Sequence, residues 1–375
     1  MRIELKGVGL QVGAESYLYP LDLALQPGAI NVLLGPTRAG KTSLMRVMAG
    51  LDQPSQGQVI AEGRDVTGVG VRRRNLAMVY QQFINYPSFK VFDNIASPLR
   101  LAGKLGAAEI EGRVREVAKR LHIEHLLDRL PAELSGGQQQ RTAIARALAK
   151  GAELLLLDEP LVNLDYKLRE ELRVELRELF AASGTTVVYA TTEPQEALLL
   201  GGHVIVMDAG RVLQAGQTVD VFHHPASTRV AEIFSDPPMN LFDVVVEEPG
   251  GRRARLSADV ALPLDDHLAG LSAGACRLGV RPGHVRLAAR TAKDMFIPAQ
   301  VELAEISGSD TFVHARHGGI VLVAQAAGVH AFALGQTIAL YINPAELFAF
   351  DAAGALLAAP DRNAVATLAA RPAAA

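Results

Sequence analysis

The stretch GPTRAGKTS, from Gly35 to Ser43, limits what this chain can fold into more than any other. Ahead of it, Ile30, Val32, Leu33 and Leu34 form an apolar run that reads as a buried strand. Behind it, Leu44, Val47, Met48 and Leu51 recur at helical spacing, with Gly50 as a stop. A strand, a glycine-rich loop and then a helix is the context in which the pattern G-x-x-x-x-G-K-[ST] holds phosphate. Gly35 and Gly40 let the backbone curl so that successive N–H groups face an anion, and the helix start adds partial positive charge. Pro36, Thr37, Arg38 and Ala39 complete the curl, and Ser43 closes the pattern. Lys41 is expected to reach the β and γ phosphates, and the Thr42 hydroxyl to hold Mg²⁺. The stretch predicts a nucleoside-triphosphate site.

A second constraint is LLLLDEP, Leu154 to Pro160. Four leucines predict a central strand, and its two carboxylates stand at the C-terminal end, where ligands bind in parallel α/β sheets. Asp158 is expected to support Mg²⁺ through water, and Glu159 to polarise a water beside the γ-phosphate. Between these motifs the chain from about Val91 to Ala149 turns helical. There LSGGQQQR, Leu134 to Arg141, is expected to lead into a helix from Thr142 to Lys150, its serine and glycines making a second anion-facing surface. A further helix is expected from about Tyr166 to Ala182, with Leu168, Leu172, Leu176 and Leu179 on one face.

A chain of 375 residues has room for two or three domains, and 49% hydrophobic with 21% charged residues is ordinary for a globular core. The net charge of −3 argues against a nucleic-acid partner. A single cysteine, Cys276, excludes an internal disulfide framework and fits a reducing compartment. The start, MRIELKGVG, alternates like a strand and lacks the apolar core of a signal peptide. No apolar run reaches the roughly 18–20 residues of a membrane span. The expectation is a soluble cytosolic protein that serves any membrane process through partners.

Taken together these residues resemble the ATP-binding subunits of ABC transporters over nearly the whole chain. Five elements occur in family order: GPTRAGKTS, Gln81 within VYQQF, LSGGQQQR, LLLLDEP and VNLD, which ends at Asp165. The resemblance implies an α/β phosphate-loop ATPase domain over residues 1–235, with a helical subdomain at about 91–150. It implies two ATPase subunits paired head to tail. Each ATP then lies between one subunit's phosphate loop and Leu134, Ser135, Gly136, Gly137 and Gln138 of the other. Gln81 would sense Mg²⁺ and the attacking water, Asp165 would supply the D-loop carboxylate, and Glu159 would act as base. The implied partners are two transmembrane permease subunits and, indirectly, an extracytoplasmic substrate-binding protein. The implied location is the cytoplasmic face of the inner membrane.

After Phe234 the paired prolines of SDPPMN mark a linker, and short strands with Gly and Pro turns follow. GVRPGHVRL, Gly279 to Leu287, is similar to a segment of importer ATPases of the sugar and polyol class. That likeness implies a small all-β OB-like domain over 236–352, regulatory or dimer-forming, with a mobile tail at 353–375. It also implies a sugar or polyol cargo, with glycerol or glycerol phosphate as the narrower reading; the alternative is an importer ATPase for a polyamine, metal or oxyanion, or a nucleotide-binding regulatory subunit with little hydrolysis. Three residues depart from the family pattern. Thr192, in TTEPQ, stands where a switch histidine is expected, and threonine can carry neither its charge nor a general-acid role. Arg38 stands where relatives usually have glycine. The position of the adenine-stacking aromatic aligns with Val12, and Tyr17 or Tyr19 is the substitute. The expectation is a weakened site of its own beside an intact LSGGQ, and hence a heterodimer of two different ATPase chains.

Overall fold

The computed structural model describes residues 1–82, 84–162, 164, 166–247 and 253–361, and the backbone alone at 181–183. It comprises two compact units, one ending at Thr218 and the other beginning at Val219.

The first unit opens with β1 (Ile3–Val12) and β2 (Glu15–Ala24), an antiparallel pair, and then β3 (Ile30–Leu34), the phosphate loop and α1 (Lys41–Ala49). The strands β4 (Gln56–Ala61) and β5 (Arg64–Asp65) form an antiparallel hairpin after that helix, and β4 pairs with β1. Next come β6 (Leu76–Val79), α2 (Val91–Ala102), α3 (Ala107–Arg120) and α4 (Gly136–Ala149). The unit closes with β7 (Leu154–Asp158), α5 (Tyr166–Ser183), β8 (Thr186–Thr191), α6 (Pro194–Leu200), β9 (His203–Asp208) and β10 (Arg211–Gln217).

Two sheets result, β2-β1-β4-β5 and β10-β9-β3-β8-β7-β6. In the larger one β9, β3, β8, β7 and β6 run parallel. Every residue of β3, β7 and β8 is buried, which is why those strands read as unbroken apolar runs and not as alternation. Leu44, Met45, Val47 and Met48 of α1 fill the space among Leu5, Val8, Leu33, Leu156 and Ile205. Each such side chain contributes roughly 1.5–3 kcal/mol by leaving water, so the helix behind the phosphate loop is fixed by its apolar face. Gly50 stops α1 in the left-handed conformation, φ 70°.

One expected boundary is corrected. The signature motif does not precede a helix starting at Thr142; the helix starts at Gly136 with Ser135 as its N-cap. The Ser135 hydroxyl accepts from the Gln138 N–H at 3.4 Å, and Gln138 Oε1 accepts from the Ser135 N–H at 3.0 Å. This reciprocal pair is the capping box that S-x-x-Q encodes.

The second unit is largely β. One antiparallel sheet is built on Asn240–Val246 and Gly274–Val280, the other on Met295–Ser307, Asp310–His317 and Thr337–Ile342. Phe242, Leu278, Val301, Val313 and Leu340 fill their common core. Arg281 of GVRPGHVRL is structural: its buried guanidinium donates to the carbonyls of Phe234 at 2.9 Å and Phe222 at 2.7 Å, and lies 3.7 Å from the Phe222 ring centroid. Burial pulls it down to about 9. Part of the expected tail is built in, because Leu356–Ala358 pairs with Phe348–Phe350; residues 362–375 lie outside the described residues.

Candidate nucleotide site

Sheet order does most of the assembly. The order β3-β8-β7-β6, with all four strands parallel, sends their carboxyl ends to one edge. The phosphate loop leaves β3 there, Thr192 follows β8, Asp158 ends β7, and Gln81 follows β6. The phosphate loop, Gln81 and Glu159, far apart in the chain, are thereby brought to one cleft.

The loop itself is tightly set. A Cβ on Gly35 would stand 2.2 Å from the Met207 carbonyl oxygen, so only glycine fits that approach. Gly40, at φ 97°, is the N-cap of α1. Lys41 follows, its side chain 4% exposed. Its Nζ donates to the carbonyls of Gly35 at 2.7 Å and Pro36 at 3.1 Å, and pairs with Glu159 Oε1 at 3.1 Å. Glu159 in turn accepts from Gln81 Nε2 at 3.4 Å through its other oxygen. The Glu159 backbone is left-handed, φ 44°, and its N–H donates to the Ala190 carbonyl at 3.1 Å. The Thr42 hydroxyl donates to Asp158 Oδ1 at 3.0 Å. Burial raises the Asp158 carboxyl above the ordinary range, opposed by the bond from Thr42.

A cleft of about 750 Å³ opens over these groups, bounded by Thr37 to Ser43, Gln81 and Glu159 on one side and Tyr17, Tyr19 and Gly210 on the other. Its size suits a nucleotide. Thr42 and Gln81 line the cleft and Asp158 is hydrogen-bonded to the Thr42 hydroxyl, a set of hard oxygen donors that fits Mg²⁺ held mainly by phosphates and water.

Val12 does not line the cleft, whereas Tyr17 and Tyr19 do. The Arg211 guanidinium lies 3.7 Å from the Tyr19 ring centroid. Thr192 does not line the cleft. Its neighbour Thr191 is tied down: the Thr191 hydroxyl donates to Glu196 at 2.5 Å and accepts from the Glu193 N–H at 3.0 Å. Leu134 to Gln138 are absent from the lining residues of this cleft, and Ser135 and Gly136 are exposed. Asp165 lies outside the described residues.

Residues 18–162 match the ABC transporter model, and residues 278–350 match the TOBE domain model. The chain is 37% identical over 344 residues to the sn-glycerol-3-phosphate import ATP-binding protein UgpC of Pectobacterium atrosepticum, covering 92% of this chain and 95% of that one. The UgpC of Salmonella typhimurium is 37% identical over 90% of this chain and 94% of its own. The chain belongs to the ABC transporter family. It is an ATPase of that family with a C-terminal TOBE domain of the OB-like kind. Among solved structures, a dimeric ATP-binding cassette in a post-hydrolysis state bound to ADP and Pi superposes with a TM-score of 0.52 at 30% identity, covering 58% of this chain and 98% of that one.

Sequence reasoning missed several supports of the ATPase site. Asn85 Nδ2 donates to the Gln139 carbonyl at 2.9 Å, and Arg146 donates to the Ile84 carbonyl, joining the segment after Gln81 to the signature helix. Arg173 of α5 pairs with Glu193 and with Glu196, the latter at 3.3 Å, beside the switch position. These ties have large sequence separation and no motif. Their one signal is a buried charge, Arg173 being 5% exposed, which must find partners.

Proposed function

We propose that this chain is the energy-coupling subunit of an importer, binding ATP and Mg²⁺ in the cleft and hydrolysing ATP to drive two transmembrane permease subunits. The observation that carries this is the convergence of Lys41, Thr42, Asp158, Gln81 and Glu159 at one edge of the parallel sheet. Without nucleotide, Glu159 neutralises Lys41. An incoming triphosphate takes over the Lys41 ammonium through charge-assisted hydrogen bonds. Glu159 is then free to accept a proton from the attacking water while Gln81 orients it. Thr42, Gln81 and, through water, Asp158 would hold Mg²⁺, which would supply positive charge to offset that of the phosphates.

The second ATPase subunit is a different chain. Thr192 cannot carry the charge of a switch histidine, while the signature helix start is complete, so this chain serves its partner's ATP better than its own. Asp165 is the D-loop residue facing that partner. Ile84, Tyr86 and Phe89, all exposed beside Gln81, offer an apolar surface for a permease. The ATPase head extends to about residue 235, and the β domain of 236–352 regulates. Among the described residues no helix is long and apolar enough to cross a membrane, and the chain is held at the cytoplasmic face by the permeases. An extracytoplasmic binding protein delivers the cargo, a sugar or polyol. Relatives named for glycerol phosphate import favour glycerol or glycerol phosphate. Uptake of labelled glycerol and glycerol phosphate, with and without this chain, tests the cargo; no change in either sinks it. ATP turnover by the chain alone, with Lys41→Ala as blank, tests the rest. Brisk turnover would break the heterodimer reading, and no nucleotide binding would break the whole.

A further inference from the structure

We propose that Arg38 is the residue by which this cleft tells a triphosphate from a diphosphate. The proposal rests on the nucleotide reading of the cleft and adds the recognition of the terminal phosphate to it. Five non-glycine residues among those described have a left-handed backbone: Arg38, Glu62, His122, Glu159 and Ala209. Three of them, Arg38, Glu159 and Ala209, line this one cleft. Strained conformations gather where function requires a group to be held out of its ordinary place. Ala209 is accounted for by the tight turn that joins β9 to β10, with Gly210 beside it at φ 75°. Glu159 is anchored by its bond to Ala190 and by its pairing with Lys41.

The left-handed backbone of Arg38, φ 68°, belongs to the curl of the phosphate loop, at a position where glycine would serve; the arginine side chain has no such account. Its side chain is exposed and makes no hydrogen bond or ion pair among the described residues. Nothing in the free chain gains from an arginine there. What changes the balance is an anion. The cleft's other lining cation among the described residues, Lys41, is sunk within the loop and committed to the Gly35 and Pro36 carbonyls and to Glu159. Thr192 is neutral and does not line the cleft. A guanidinium with free donors, on the loop that wraps the phosphates, suits bidentate pairing with the outermost phosphate oxygens. A diphosphate, seated deeper by Lys41 and the loop N–H groups, lacks the group that Arg38 would meet.

The test is equilibrium binding of ATP, a non-hydrolysable ATP analogue and ADP, each with Mg²⁺, to the full chain and its variants. Arg38→Gly relieves the left-handed backbone, so loss of fold is not at stake. It is expected to weaken both triphosphates about tenfold while leaving ADP within about twofold, as for loss of one charge-assisted pair. Arg38→Lys, keeping the charge without the fork, is expected to fall between. Because the side chain is exposed, the preference of the parent protein for ATP over ADP should shrink as salt rises, and that of Arg38→Gly should not. An unchanged ATP-to-ADP ratio in Arg38→Gly, or equal weakening of both nucleotides, overturns the proposal. Lys41→Ala separates the two readings: it should weaken ATP and ADP alike. If the folded parent protein binds neither nucleotide, the nucleotide site itself is refuted and Arg38 with it.

Discussion

The phosphate loop and the signature motif both place glycines at the start of a helix, yet the two starts are built in opposite ways. At α1 the N-cap is Gly40, with no side-chain cap, and the positions around it carry Arg38, Lys41, Asp158 and Glu159. Lys41 and Glu159 are paired with each other, Arg38 makes no ion pair among the described residues, and a left-handed backbone is tolerated. At α4 the N-cap is Ser135, a capping box satisfies the first turn, and Leu134 to Gln138 carry no charge. The first start gathers Lys41, Thr42, Asp158 and Glu159, the groups proposed to bind a nucleotide and to attack it, with threonine at the switch position 192. The second offers only hydroxyl and N–H donors on an exposed rim. A helix start of the second kind completes a site that another surface has already charged. On the function proposed above, the chain contributes unequally to two sites, and each contribution can be removed separately.

The largest expected effect falls on the first. Lys41→Ala removes the ammonium from three carbonyl and carboxylate partners and from the nucleotide. ATP affinity measured by calorimetry should fall at least about 100-fold, equivalent to roughly 3 kcal/mol. A change of only a few fold would mean that the phosphates do not meet Lys41. Glu159→Gln should act in the opposite sense on binding. It leaves Lys41 without its carboxylate partner, so ATP should bind several-fold tighter, while turnover drops about 100-fold or more with the general base gone. Unaltered turnover would remove Glu159 from that role.

A smaller effect separates the two helix starts by pH. Burial raises the Asp158 carboxyl, so the group protonates at a higher pH than an ordinary aspartate. It is charged above its raised pKa and can support Mg²⁺ there; as pH falls through that value the charge, and with it the Mg²⁺-dependent part of ATP binding, is lost by up to about tenfold per pH unit. Leu134 to Gln138 contain nothing that titrates. Nucleotide binding measured with and without Mg²⁺ should therefore converge on acidification, and Asp158→Asn should abolish the convergence. A Mg²⁺ contribution that is flat with pH would place the cation elsewhere.

How much of this could be read from the chain follows the same division. The α1 start was legible because its apolar flanks, glycines and Lys-Thr pair lie within one short stretch, and because parallel strands advertise burial on both faces as plain apolar runs. The carboxylates of β7 were legible for the same reason. The start of α4 was misplaced to Thr142 although S-x-x-Q was present, since paired glycines lower helix propensity and the capping pair outweighs them only through a contact between side chain and backbone. A tertiary approach also helps fix it: a Cβ on Gly137 would stand 1.9 Å from Leu168 Cδ2 of α5. The stacking of Arg211 on Tyr19, the absence of Thr192 from the cleft lining and the Arg173 cluster were beyond sequence reasoning. Each depends on which side chain from a distant element arrives first, and no local spacing records that.

The smallest expected effect divides the two tasks of Ser135. As N-cap it satisfies the Gln138 N–H, and Ser135→Ala should cost about 1 kcal/mol of stability, a drop in melting temperature of roughly 2–4 °C, with ATP affinity of the chain's own cleft within about twofold. As a donor toward a partner's nucleotide it needs a neutral hydroxyl. Ser135→Asp keeps a good cap and adds a charge that suits the helix N-terminus, so stability should match or exceed the parent. The same charge would stand against a partner's phosphate, and turnover of the assembled pair should fall about five- to tenfold. If Ser135→Asp assembles and turns over like the parent, Ser135 is a cap and nothing more, and the contrast between the two helix starts reduces to one nucleotide site and one ordinary helix end.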